Sequence, residues 1–397
     1  MLSIVRPVTN KFLKIRGESM KSSISKLVIL VSLLLVGSVL LSNCTPSPVA
    51  TTPAPAATSS APAVQVQEPM NLKYAFGGAN SGVFAETNQW FCDEIAKRTN
   101  GKVNITIVWG GTLIKQPDTL VSVGKGVADM GAAMGTPTVA MNPHMTTLGA
   151  VGAGKDPWAT TMAVWEMMNN NPKIIAEYDK HNVVPTHGYF PGTPVMFLRK
   201  EIKSVNDLKG LRIRAGSPDD ASILPKLGIE PVNVQIFDLY DSMSKGVVDG
   251  CMLTIAWGDT LKWGEVAKYW YKPSNNLVGG DVTTVINKDV WNKFTPQTRE
   301  IIKTLAHEYN DKYVKGVMDQ EVVALDKVKT TLKVQYQPLP EDANQIYQSG
   351  MAAARQAWFD KWDSQGNSTK AVFEEFQKYI EKYEKQVAEK GYPWKSK

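Results

Sequence analysis

From Asn71 onward, short apolar runs alternating with amphipathic stretches set the pattern of the chain. LKYAF (72 to 76) has strand period, and Phe84, Phe91 and Ile95 then recur at helical spacing in FAETNQWFCDEIAKRTN, which closes at Asn100-Gly101. VNITIVW (103 to 109) returns to strand period, completing a βαβ unit. Thr119 to Val127 predicts a further helix and ADMGAAM a further strand, so residues 70–190 form an open α/β sheet covered by helices. A second such lobe follows in 191–278: LKGLRIRAG, the helical DDASILPKLG, PVNVQIF, the helical LYDSMSKGVVDG and CMLTI repeat the alternation. VTTVINKDVWNKF adds a strand and a helix start, with Thr295-Pro296 as cap and first turn. No proline occurs between Gln297 and Gln337, which predicts one long helix running through both lobes. Two amphipathic helices, about 341 to 363 and 368 to 390, end the chain. The segments from about 279 to 318 are assigned to the first lobe and those from about 319 to 397 to the second, and no repeat of solenoid period is present.

The 397 residues, 43% of them hydrophobic, suffice for two domains with proper cores and exclude a small disulfide-stapled scaffold. Net charge is +6, but Arg6, Lys11, Lys14, Arg16, Lys21 and Lys26 precede Cys44 against the single acid Glu18, so the body is near neutral. A neutral body without a Lys/Arg block argues against nucleic acid as ligand, because phosphate binding needs clustered cations. Three cysteines and four histidines, with no CxxC or HExxH, leave no metal site to expect and no cofactor to name.

Leu27 to Leu41 is an apolar run preceded by Lys21 and Lys26, short for a membrane span and right for the core of an export signal. Residues 1–43 are therefore read as a signal peptide, with Met20 as an alternative start or Met1 to Glu18 as a long basic region. The run ends Leu41-Ser42-Asn43-Cys44, which resembles a bacterial lipobox except at Asn43, where Gly, Ala or Ser is usual. Residues 44–69 are rich in Pro, Ala, Ser and Thr and lack large apolar groups, the composition of a solvated tether. Lipidation at Cys44 would hold the body at the outer side of the cell membrane; a plain secretory signal followed by a disordered stub is the alternative. Cys92 and Cys251 then remain, as buried thiols or as one disulfide.

Gly149 to Lys155 satisfies the GxxxxGK part of a phosphate-binding loop, but Asp156 stands where Ser or Thr is needed and its charge would repel phosphate. A glycine-rich connector accounts for it better. His144, His181, His187 and His307 are dispersed and no GxSxG elbow occurs, so catalysis has no local signature. In LRIR (211 to 214), alternation puts Leu211 and Ile213 on one face and Arg212 and Arg214 on the other. An arginine half-buried in a cleft holds a carboxylate through two parallel hydrogen bonds.

This segment and its sequel resemble the DctP family of solute-binding proteins from tripartite ATP-independent periplasmic (TRAP) transporters. Asp207-Leu-Lys-Gly210-Leu-Arg-Ile-Arg214 matches D-L-K-G-x-K/R-I-R. Leu227-Gly228-Ile-Glu-Pro231-Val232, Asp238-Leu-Tyr240, Gly246-Val-Val-Asp-Gly250, Glu265-Val-Ala-Lys-Tyr269 and Val285-Ile-Asn-Lys-Asp-Val-Trp291 follow in the family's order. Trp109-Gly-Gly-Thr-Leu113 and Gly126-Val-Ala-Asp-Met130 are similar to its P-G-G-Q-L and G-x-x-D-M/L. The resemblance implies a two-lobed periplasmic-binding-protein-like α/β fold with a ligand cleft between lobes, no catalysis, and delivery of a small organic anion to integral-membrane TRAP subunits. The family's carboxylate-binding arginine falls on Arg214, leaving Arg212 an outer or salt-bridging role. Two polar anchors of the dicarboxylate and sialic acid members are absent: Gly192-Thr193-Pro194 replaces a G-x-R element, and Leu253 stands where an asparagine reaches the ligand. The expected ligand is thus a monocarboxylate with an apolar or aromatic portion, with Tyr189, Phe190, Phe197, Trp257 and Trp263 in segments near the cleft. Phe76 and Asn80 follow the first strand and Thr136 the third, at carboxyl ends where open sheets bind ligands. A binding protein of an ATP-driven importer, an exported enzyme acting on a small acid, and a ligand-presenting sensor stand as alternatives.

Overall fold

The computed structural model describes residues 66–134, 142–149, 152–189, 192–215, 218–274 and 282–395. The chain first forms β1 (Met70–Ala75), α1 (Gly82–Arg98), β2 (Val103–Val108), α2 (Thr119–Gly124) and β3 (Met130–Met134). Next come α3 (Pro143–Thr147), α4 (Pro157–Asn170), α5 (Pro172–Lys180) and β4 (Val183–Tyr189). The second run is β5 (Pro194–Leu198), β6 (Arg212–Arg214), α6 (Pro218–Ile223), β7 (Glu230–Val232), α7 (Leu239–Ser244), β8 (Gly250–Thr254), α8 (Ile255–Thr260) and β9 (Tyr269–Lys272). β10 (Val282–Asn287), α9 (Lys288–Asn292), α10 (Pro296–Thr330), β11 (Gln335–Pro338), α11 (Glu341–Asp363) and α12 (Thr369–Lys390) complete it.

Two sheets result. The first has the order β2-β1-β3-β10-β4 and the second β11-β9-β5-β8-β6-β7. β1, β2 and β3 are mutually parallel, as βαβ crossovers require, while β10 runs antiparallel between β3 and β4. In the second sheet β6, β7 and β8 are parallel and β5 is antiparallel to β8 and β9. The two-lobed α/β expectation holds, each lobe being one sheet flanked by helices.

Within each lobe the same local frame recurs at a constant offset along the chain. Asp118, Ser122, Lys125, Gly126, Val127 and Asp129 of the first lobe correspond to Asp238, Ser242, Lys245, Gly246, Val247 and Asp249 of the second. Asp129 donates its N–H to the Lys73 carbonyl (3.1 Å) and its carboxylate accepts the Lys73 N–H (2.7 Å). Asp249 makes the same pair of bonds to Arg212, at 2.8 and 2.9 Å. Each aspartate thereby fixes the register of the parallel strand beside it.

α10 is 35 residues long, about 52 Å at 1.5 Å per residue. The Thr295 hydroxyl accepts the Thr298 N–H at 3.2 Å, which is the cap the sequence predicts. Ile302, Leu305, Tyr309, Tyr313 and Val317 lie in the core under the first sheet, and Ala324 and Val328 in a core of the second. The helix stops at Thr330, and Lys333 with φ 56° turns the chain into β11, a strand that the absence of proline had concealed. α11 packs on the second lobe, with Tyr347 and Met351 against Ile223 and Leu224. α12 departs from the lobe assignment made from sequence: Val372, Phe373, Phe376 and Ile380 join Ala163, Val164 and Met167 of α4 in a first-lobe core. An amphipathic helix declares its apolar face but not the surface that face covers.

Candidate functional site

Carboxyl ends of strands from both sheets carry the candidate groups. β1 runs into Phe76-Gly77-Gly78 and β2 into Trp109, and the two rings meet edge to face at 5.4 Å. Gly110 N–H donates to the Gly78 carbonyl (2.7 Å) and Gly111 N–H to that of Phe76 (3.1 Å), tying these turns together. β8 passes into α8, where Trp257 lies 4.6 Å from Phe84 of α1 and 6.1 Å from Phe237. A Cβ at Gly78 would stand 3.5 Å from the Phe237 ring, so a first-lobe turn and a second-lobe aromatic face each other closely. Phe237 is 39% exposed, unusual for a large apolar side chain and consistent with a place on the rim of a cleft.

On β6 the alternation is as expected: Ile213 is fully buried, and Arg212 and Arg214 are half-buried on the other side. The Arg212 guanidinium pairs with Asp249 at 3.4 Å and donates to the Gly246 carbonyl at 2.7 Å, an outer, salt-bridging role. Arg214 ends β6 beside Cys251 of β8, and its Nη1 is shut off from solvent. Burial pushes the Cys251 thiol pKa up and the neighbouring Arg214 charge pulls it down.

The other candidates fall in different places. Phe76 is buried, and Leu253 and Trp257 are half-buried on β8 and α8. Asn80 is exposed and lines a depression of about 410 Å³ with Ser81, Glu86, Trp90 and Asp93 of the α1 segment, with no second-lobe group among its lining residues. Thr136, Phe190, Cys44 and the Tyr189 side chain lie outside the described residues. Phe197 and Trp263, expected near the cleft, are fully buried and meet each other at 5.2 Å in the second core, so they are packing residues. Phe84, read from sequence as a helix-face position, is a core residue, and Phe237 was not singled out, because turn aromatics carry no mark that separates a wall from a core.

The remaining chemistry is accounted for by structure. Cys92 and Cys251 are free, buried thiols, so the disulfide alternative falls. Asp156, the residue that spoils the phosphate-loop pattern, caps α4 by accepting the Ala159 N–H at 2.8 Å. His144 pairs with Glu177 at 2.7 Å and also bonds the Asn367 carbonyl; burial draws its pKa down, but these partners more than offset it and raise it. His187 stacks on Tyr309 at 3.7 Å, and burial pushes its pKa well below the usual histidine range. His181 bonds Asn142 at 2.9 Å. Among the described residues no group of three or more His, Cys, Asp or Glu is arranged to hold a metal ion, and no helix is long and apolar enough to cross a membrane.

Two α/β lobes share α10 as a spine, with a seam of strand ends between them, the architecture of a two-lobed binding-protein-like fold. The DctP family model, bacterial extracellular solute-binding protein, family 7, matches residues 76–362, and the chain belongs to that family. The family places it outside the cytoplasm, and the family is one of binding proteins rather than enzymes. A curated relative, a monocarboxylate 2-oxoacid-binding periplasmic protein of Nostoc sp., is 26% identical over 54% of this chain and 59% of its own length. The chain thus spans little more than half of that relative. A TRAP solute-binding protein of Rhodoferax ferrireducens, solved with copurified benzoate, superposes with a TM-score of 0.70 at 21% identity, covering 80% of this chain and 99% of that one. A marine metagenome TRAP protein specific for pyroglutamate gives 0.69 at 19% identity, with 78% and 99% covered.

Proposed function

We propose that the chain captures an organic monocarboxylate bearing an apolar or aromatic portion and hands it to the integral-membrane subunits of a TRAP transporter, without catalysis. Arg214 grips the carboxylate, and Phe76, Trp257 and Leu253 wall the apolar part. The observation that carries this reading is the position of Arg214: half-buried at the carboxyl end of β6, on the strand next to the one that runs into Leu253 and Trp257. Leu253 in place of a polar anchor favours an apolar ligand surface. Benzoate, pyroglutamate and 2-oxoacids, the ligands of the similar proteins, each present one carboxylate.

Thermal unfolding of the full chain across a library of organic acids, repeated with Arg214→Ala, tests it, since a ligand that binds only the native state raises the midpoint. Loss of an anion's partner is expected to cost about 2–5 kcal/mol of binding. Neutral solutes that stabilise parent and variant equally would refute the carboxylate assignment. Anchoring through a lipid on Cys44 is the second part of the proposal. It predicts that the exported protein partitions into detergent and that Cys44→Ser moves it to the aqueous phase.

A further inference from the structure

β4 belongs to the first sheet and β5 to the second, so the chain crosses between lobes just before Thr193. There the Thr193 N–H donates to Glu321 Oε1 and its hydroxyl to Oε2, both at 2.6 Å. A single carboxylate on α10 thus holds the backbone and the side chain of one crossover residue. Gly192 has φ +106°, and a Cβ there would lie 2.5 Å from Glu321 Oε1 and 3.2 Å from Thr254 Cβ. The crossover is pressed against α10 as only glycine allows. On its other side Ile255 N–H donates to the Thr193 carbonyl at 3.0 Å.

Glu321 occupies the stretch where α10 passes from one lobe to the other. Val317 is in the first core and Ala324 in the second, and Gln320 donates to Asp259 (3.2 Å) and Thr260 (3.0 Å) of α8. Glu321 is half-buried, and among the described residues no Lys or Arg lies within ion-pair distance of it. Burial raises its carboxyl pKa, against the pull of the two Thr193 bonds and of the Lys272 charge. Both oxygens of this carboxylate are thus committed to one residue of the crossover.

We propose that Glu321 is a positioning residue for ligand capture: it fastens the start of β5 to the second half of α10, so that the second lobe swings as one body about Gly192. This rests on the two-lobed capture reading above. Without the clamp the crossover must be reordered at each closure, and binding weakens although no ligand contact is lost.

The test uses the full chain, with benzoate and pyruvate as probes in calorimetry and with amide exchange over Gly192–Leu198 in the ligand-free protein. Glu321→Ala is expected to speed that exchange and to weaken binding of whichever probe binds by about tenfold. Glu321→Gln keeps an acceptor for the Thr193 N–H and is expected to stay within about threefold of the parent in both readouts. Thr193→Val, which removes only the hydroxyl half, falls between them and serves if the alanine variant does not fold. Parent-like exchange and affinity in Glu321→Ala would overturn the proposal, as would equal losses in the alanine and glutamine variants. Failure of both acids to bind the parent would count against the carboxylate reading, and exchange in the ligand-free protein would then decide the clamp by itself.

Discussion

The β1-to-β3 half of the first lobe and the β6-to-β8 half of the second use one frame to different ends. Strand register coincides: Tyr74 and Ala75 pair with Met130 and Gly131, and Ile213 and Arg214 pair with Gly250 and Cys251. Asp129 and Asp249 lock the two frames in the same way. The difference lies at the last strand positions, where Ala75, 1% exposed, corresponds to Arg214 and buried Phe76 to half-buried Ala215. The first lobe ends its strand in an aromatic ring, the second in a cation. A ligand with a charged end and an apolar body is what such a pair of ends would suit, so the difference at two positions bears on ligand class more than the whole shared frame does.

Transplanting the cation should break the comparison most strongly. Ala75 lies in a core with Ile114, Leu120 and Val123, and Ala75→Arg would put an unpaired charge there, at a cost of about 3–5 kcal/mol in urea unfolding. An Ala75→Arg chain as stable as the parent would mean that the first strand end is as open as the second. The register aspartates sharpen the comparison. Asp249→Ala loses bonds to both the backbone and the guanidinium of Arg212 and should cost about 1.5–3 kcal/mol, whereas Asp129→Ala, losing one backbone bond, should cost about 1 kcal/mol. Equal losses would show that the Arg212 pair contributes nothing.

A smaller asymmetry concerns pH. The raised His144 pKa means the folded first lobe binds the proton more tightly than the unfolded chain. That stability is fully present below the unfolded histidine value and is lost as pH rises through the folded one. The stability gap between parent and His144→Gln, followed by urea unfolding across that window, should therefore shrink as pH rises; a gap that grows would assign the pair the opposite sign. The least effect is expected at the corresponding turn valines, Val127 and Val247, which are 51% and 53% exposed. Serine at either should change stability by no more than about 0.5 kcal/mol, and a larger loss at one would show that its turn is covered.

Much of this frame was legible because periodicity reports burial directly. The two C-terminal helices, α11 and α12, fall where the amphipathic pattern puts them, and Arg212 and Arg214 share a face as strand period requires. α4 was not separated from its surroundings, since Trp158 to Val164 are all buried and a helix buried nearly all round shows no polar stripe. The side of the molecule that α12 covers depends on partners far away in sequence, and pattern alone carries no such information. The candidate site was legible where a charge sits in a strand and not where rings gather: Phe237 looks like Phe197 until its neighbours are known. Glu321 lay hidden in MDQEVVALD, where any of three acids passes for a solvated helix charge.

The strand order of the first sheet has a consequence for the chain's route out of the cell's interior. β10 stands between β3 and β4, and α12 packs on α4, so the first lobe lacks a central strand until Asn287 has emerged and a covering helix until nearly the last residue. An N-terminal stretch delivered first therefore has no complete core to collapse upon. The first lobe is therefore expected to complete its core late, once β10 and the returning α12 are both available to it.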